Sequence, residues 1–127
     1  MIVLDASAAV LALLNDGEAR RQLAAEVVVV PHLVDAEVAH ALRTQVRSGR
    51  MSADAGQEAL GLWSRLGLRR IGGVGLLERV WELRDNLTAY DATYVALAEA
   101  MGVALVTADV RLAQAPGPTC PITVVRR

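Results

Sequence analysis

Residues 89–109 read AYDATYVALAEAMGVALVTAD. The stretch has helical period over 89–101, then a short apolar run, Val103 to Val106, of the length of a buried strand, and Asp109 just beyond it. The same alternation extends outward in both directions. Ile2 to Leu4, Val27 to Val30, Leu68 to Ile71 and Ile122 to Val125 are further strand candidates. Helices are predicted over 6–14, 18–25, 33–48, 53–66 and 75–86, with a short one after Asp109. Strands separated by helices predict an α/β domain with a parallel sheet covered on both faces, because parallel neighbours need a crossover and the crossover is usually helical. Val27 to Val30, apolar on both faces, suits a central strand.

With 127 residues, the chain has the size of one domain, expected to span 1–127. Hydrophobic residues make up 54% and charged residues 21%, a balance that excludes disorder. All 13 basic residues are Arg, which removes every mechanism that needs a lysine, from the Walker-A phosphate contact to the Schiff base. A net charge of -1 argues against nonspecific coating of nucleic acid. Cys120, the lone cysteine, allows no internal disulfide and no Cys-rich zinc site, and fits a reducing compartment, so a cytoplasmic location is expected. The first residues fit a signal peptide poorly, since they have no basic n-region and Asp5 lies inside their apolar stretch, and no apolar run is long enough for a membrane span.

The carboxylates fall at the ends of these elements. Asp5 ends the first strand, Asp109 follows the fourth, Asp91 opens a helix, and Glu37 lies one turn into the helix after Pro31. Open parallel sheets build their sites beyond the carboxyl ends of strands, where strand order reverses. Asp5 and Asp109 also precede helices, where a carboxylate serves as an N-cap, and Asp91 stands three residues after Thr88, a capping-box spacing. Glu37 sits at the margin of a helical face centred on Val34, Val38, Ala41 and Leu42. Together the four make an all-oxygen set suited to magnesium or manganese, ions that offset phosphate charge and activate water in phosphodiester hydrolysis.

At these residues the chain resembles the PIN-domain ribonucleases, most closely the VapC-like toxins of bacterial toxin–antitoxin pairs. The resemblance rests on Asp5-Ala6-Ser7 after an apolar strand, Glu37-Val38 after Val30-Pro31, Tyr90-Asp91-Ala92 leading into Tyr94-Val95-Ala96-Leu97-Ala98, and Val106-Thr107-Ala108-Asp109. It implies a sheet of order 3-2-1-4-5 and a Mg2+- or Mn2+-dependent endoribonuclease. It also implies a small cognate antitoxin and a homodimer. Carried over by position, Asp5, Glu37, Asp91 and Asp109 are the catalytic and metal-binding acids, with Ser7 and Thr107 as supporting hydroxyls. Many relatives carry a further acid where this chain has Arg111, a candidate phosphate contact. The alternative is a noncatalytic PIN-like module that binds RNA or protein.

Other residues carry less. Glu37 and His40 form an E-x-x-H, but a di-iron site needs a second copy. His32 and His40 are roughly 12 Å apart along a helix and cannot share an ion. Arg43, Arg47 and Arg50 form a stripe that reads as a solvated face, with an RNA or antitoxin contact as the alternative. Trp63 and Trp81 are expected on apolar helix faces, and two Trp and two Tyr provide no stacking platform. Asp35 and Glu37 project roughly 200° apart, so one metal centre takes only one of them. The family motif selects Glu37 and leaves Asp35 as a structural acid.

Overall fold

A computed structural model describes residues 1–126. The chain runs β1 (Ile2–Leu4), α1 (Ala6–Leu14), α2 (Glu18–Ala25), β2 (Val28–Pro31), α3 (Leu33–Arg47), α4 (Ala53–Ser64) and β3 (Arg69–Ile71). A 3-10 turn (Val74–Leu76) leads into α5 (Leu77–Glu82), followed by α6 (Ala89–Met101), β4 (Ala104–Thr107), α7 (Val110–Gln114) and β5 (Ile122–Val124). All sheet pairs are parallel, in the order β3-β2-β1-β4-β5, as the resemblance implied.

Most elements keep their expected bounds to within a residue or two. β2 starts at Val28 because Val27 is exposed, and it runs on through Pro31, which aligns with Ile71 of β3. The helix expected over 75–86 is the largest departure. It divides into the 3-10 turn and α5, and beyond Glu82 the backbone tightens into short-range bonds from Arg84 N–H to Trp81 O and from Asn86 N–H to Leu83 O. Trp81 corrects the expectation that it packs on an apolar face, since it is 67% exposed. Leu76, Val80 and Leu83 occupy the core-facing positions, so the residue after Val80 is turned roughly 100° away, into solvent. There the Arg84 guanidinium lies 4.7 Å from the indole centre. Trp63 is buried as expected.

β1 is the hinge of the topology. Its neighbours are β2, reached through α1 and α2, and β4, reached only after α6, so strand order reverses between β1 and β4. Leu4 aligns with Val106, and the Asp5 N–H donates to Val106 O at 3.1 Å, which sets the two strand ends side by side. Val3, Leu4, Val29, Val30 and Leu105 are fully buried, as a sheet covered on both faces requires. α6 packs against β1, β2 and β4, and its Ala92, Ala96 and Ala98 let the helix approach closely. It begins at Thr88, whose hydroxyl accepts from Asp91 N–H, and ends at Gly102, whose φ of 67° lies in the left-handed region that turns the chain into β4. No helix among the described residues is long and apolar enough to cross a membrane.

Candidate active site

Asp5 leaves the carboxyl end of β1 and caps α1. Its Oδ1 accepts from Ala8 N–H at 3.0 Å and from the Ser7 hydroxyl at 2.6 Å, and its Oδ2 accepts from the Thr107 hydroxyl at 2.5 Å. With two lone pairs on each oxygen, these bonds saturate Oδ1 and leave one lone pair on Oδ2. The cap and a further oxygen interaction are therefore compatible. Asp109 caps α7, accepting from Arg111 N–H at 3.0 Å.

Ser7 and Thr107, expected as supporting hydroxyls, sew the two strand ends together. Thr107 Oγ1 donates to Asp5 and accepts from Asp109 N–H at 3.0 Å, while Ser7 Oγ accepts from Ala108 N–H at 2.9 Å. Asp91 stands in the first turn of α6, held by its own backbone N–H on Thr88. Its carboxylate accepts no hydrogen bond among the described residues. Glu37, one turn into α3, accepts from the Tyr94 hydroxyl at 2.5 Å.

The electrostatics tie these acids into one field. Burial raises the Asp5 pKa, against the pull of its hydrogen bonds, and the Asp109 charge raises it further. Burial also raises Glu37, with Tyr94 opposing and the charges of Asp91 and Asp5 adding to the rise. Asp91 is raised by burial and then by Asp5 and Asp109, with Arg111 partly compensating. Each of the four acids thus interacts with at least one other across separate elements.

Among the described residues, no three His, Cys, Asp or Glu side chains are drawn tightly enough to cage an ion. Like charges keep apart, and two of the acids are tethered to side-chain partners: Glu37 to Tyr94, and Asp109 to Arg111 at 3.3 Å. The donor set is all oxygen, with Asp91 unengaged and Asp5 only partly engaged, which fits a hard divalent cation.

A cleft of about 810 Å³ opens beside Ser7 and Glu37, walled by Val10, Leu33, His40 and Tyr90. A smaller one of about 280 Å³ includes Thr88, Asp91, Asp109 and Arg111. Arg111 thus lines the same cleft as Asp91 and Asp109, its guanidinium beside the Asp109 carboxylate and 90% of its side chain exposed.

Other candidates lie elsewhere. Asp35, on the other side of α3, accepts two bonds from Arg70 at 2.8 and 2.9 Å and one from Trp63 Nε1 at 2.8 Å. These partners hold its pKa below the usual range, Arg70 foremost. His32, Arg43, Arg47 and Arg50 are exposed.

Tyr94 is the neighbour of the acids that sequence reasoning quoted in the family motif without assigning it a contact. Its signal was present: a tyrosine three residues after Asp91, leading the apolar run Val95 to Ala98, needs an acceptor for its hydroxyl when buried.

Comparison with known proteins agrees with this architecture. The PIN domain family model matches residues 2–118. Ribonuclease VapC9 of Mycobacterium tuberculosis (strain ATCC 25618 / H37Rv) is 58% identical over 127 residues, covering 100% of both chains. The crystal structure of PAE2754 from Pyrobaculum aerophilum superposes with a TM-score of 0.75 at 28% identity, over 97% of this chain and 83% of that one. VapBC2 from Rickettsia felis, solved bound to a DNA fragment from its promoter, shares the fold with a TM-score of 0.71 at 16% identity, over 99% of this chain and 100% of that one. With the family model spanning most of its length and a full-length relative well above half identical, the chain belongs to the PIN-domain family, among its VapC-like members.

Proposed function

We propose that this chain is an endoribonuclease that hydrolyses RNA phosphodiester bonds with Mg2+ or Mn2+, acting in the cytoplasm as the toxin of a toxin–antitoxin pair. The observation that carries the reading is the gathering of Asp5, Glu37, Asp91 and Asp109 into one field, with the pKa of the first three raised. Such a cluster opposes folding unless a cation offsets it. The full-length likeness to a VapC ribonuclease supports the activity, and the likeness to VapBC2 supports a small antitoxin as partner. A homodimer, also implied by the family, would give cover to Val74, Leu77 and Trp81, which are 83%, 58% and 67% exposed.

In this mechanism Asp5, Glu37, Asp91 and Asp109 hold the ion through oxygen. When bound, it supplies positive charge to the scissile phosphate and lowers the pKa of water. Asp5 is fixed by three hydrogen bonds and positions rather than transfers. Glu37 and Asp91 keep carboxylate lone pairs outside the hydrogen-bond network, and one of them would accept the proton given up by the attacking water. Arg111 meets a nonbridging phosphate oxygen, and the cleft beside Glu37 takes the RNA strand.

The test is cleavage of a structured RNA by the purified protein with Mn2+ and with excess chelator. Cleavage that stops with chelator is expected, and full activity in chelator sinks the mechanism. The open spacing of the carboxylates favours one other reading, a noncatalytic RNA-binding module. That reading wins if RNA binds but stays intact at saturating Mn2+.

A further inference from the structure

We propose that Tyr94 is a positioning residue, whose buried hydroxyl holds Glu37 in place for the cation and so keeps three separate elements in register at the site. The proposal rests on the metal-dependent reading above and goes beyond it, since Tyr94 is not itself one of the acids.

Three observations carry it. Tyr94 is 1% exposed, at the end of the site away from solvent, and its phenol reaches across from α6 to the Glu37 carboxylate on α3, 57 residues away in sequence. Tyr94 and Asp91 lie three apart on α6, a spacing that puts them on one face of the helix. The helix turn that presents Tyr94 to Glu37 therefore also presents Asp91 toward the site. The Ala6 backbone also lies against the Tyr94 hydroxyl, and Ala6 is joined directly to Asp5. One phenol thus stands between the carriers of Asp5, Glu37 and Asp91.

The chemistry suits the task. A buried phenol facing a carboxylate is a donor, and the Tyr94 hydroxyl donates to Glu37 across the space between two helices. The donor takes one of the two lone pairs on Glu37 Oε1 and leaves the other, with both on Oε2, for a cation. It also fixes the carboxylate plane, so that the side chain loses little further rotamer freedom when an ion arrives. Groups that orient a ligand from behind commonly account for a 10- to 100-fold share of metal affinity. A tyrosine that merely filled space would do its work equally well as phenylalanine.

The experiment is Mn2+ titration by calorimetry on the purified full chain, comparing wild type, Tyr94→Phe, Glu37→Gln and the double variant. Melting in chelator runs alongside to establish that each is folded. Expected is a Mn2+ affinity about tenfold weaker in Tyr94→Phe, with RNA cleavage at saturating Mn2+ largely recovered, which separates a binding defect from a defect in turnover. In the Glu37→Gln background, Tyr94→Phe is expected to change the affinity no further, because its effect passes through that carboxylate.

Wild-type Mn2+ affinity in Tyr94→Phe overturns the proposal and leaves the metal reading standing. Equal losses in both backgrounds also overturn it, since Tyr94 would then act on the fold at large. If Tyr94→Phe does not fold, Tyr94→His, which keeps a ring donor, serves as the second variant, and no recovery of Mn2+ binding in it counts against the proposal. No Mn2+ binding by the wild type overturns the metal reading and this proposal together.

Discussion

Asp91 has charge, partial burial and, among the described residues, no hydrogen bond to its carboxylate, so in the absence of a cation its ionised form works against the fold. Its folded pKa is raised above the ordinary 3.8. Its contribution to stability is therefore full below the unfolded value and lost as pH rises through the folded one. Asp91→Asn should accordingly melt higher than wild type in chelator at pH 7, and the gap should close as pH falls through the raised value and the wild-type carboxyl takes up its proton. The same variant should lose RNA cleavage and any stabilisation by Mn2+. A melting temperature in chelator below wild type across the whole range would mean that Asp91 stabilises the fold by a contact instead. Asp35 and Glu37 give a second comparison at this scale. Glu37→Gln should lose Mn2+-dependent cleavage with little change in stability, whereas Asp35→Asn should keep its activity and cost about 1 kcal/mol, because the half-exposed pair with Arg70 is lost while Trp63 keeps an acceptor. Urea unfolding and an RNA assay on purified variants would reverse the assignment if the effects were exchanged. Asp5 and Asp109 were legible in the sequence because each stands at a junction between strand and helix, and Asp91 because it opens a helix, whereas Glu37 was chosen over Asp35 only through the family motif. The partners of Asp35 were not legible, since Trp63 and Arg70 meet it from 28 and 35 residues away and nothing in local period encodes that meeting.

At the scale of elements, α3 and α4 meet through a gap that only glycine fills. A Cβ on Gly56 would stand 2.9 Å from Val46 Cγ2, and the β-branched valine has little freedom to yield. Gly56→Ala gains about 1 kcal/mol of helix propensity on an exposed surface. Here a net loss of about 1 kcal/mol is expected, because overpacking outweighs that gain. Urea unfolding measures it, and greater stability in Gly56→Ala would show that the two helices part freely. Strand and helix order was readable throughout, because a buried parallel strand writes an unbroken apolar run and the helices between them write a different period. The reading failed around α5. Its apolar residues number more than one face can hold, so Trp81 was assigned inward when Leu76, Val80 and Leu83 already filled the core side. Which of several apolar residues turns out is decided by the neighbouring element, and a single helix does not carry that information.

For the molecule as a whole, four carboxylates from four separated segments share one end of the sheet, and a bound divalent ion should be felt as global stability. At a hundredfold excess of Mn2+ over its Kd the gain is about 2.7 kcal/mol, or roughly 10 °C in Tm for a domain of this size. Thermal melts with Mn2+ and with chelator measure it, and a Tm indifferent to saturating Mn2+ would mean that the acids do not act as one site. The order of the sheet was available only through resemblance, because periodicity names strands without saying which are neighbours. That order places the first strand made between one early neighbour and one very late one: Thr107 reaches Asp5 across 102 residues of chain. During synthesis, β1, β2 and β3 can pair while β4 has not yet been translated, and Asp5 then lacks the hydroxyl that holds Oδ2. A nascent chain halted before residue 104 already contains Asp5, Glu37 and Asp91, yet has neither Thr107 nor Asp109. Under the proposed function the chemistry of the site therefore waits on the translation of β4 and the residues just beyond it, however early the other three acids are made.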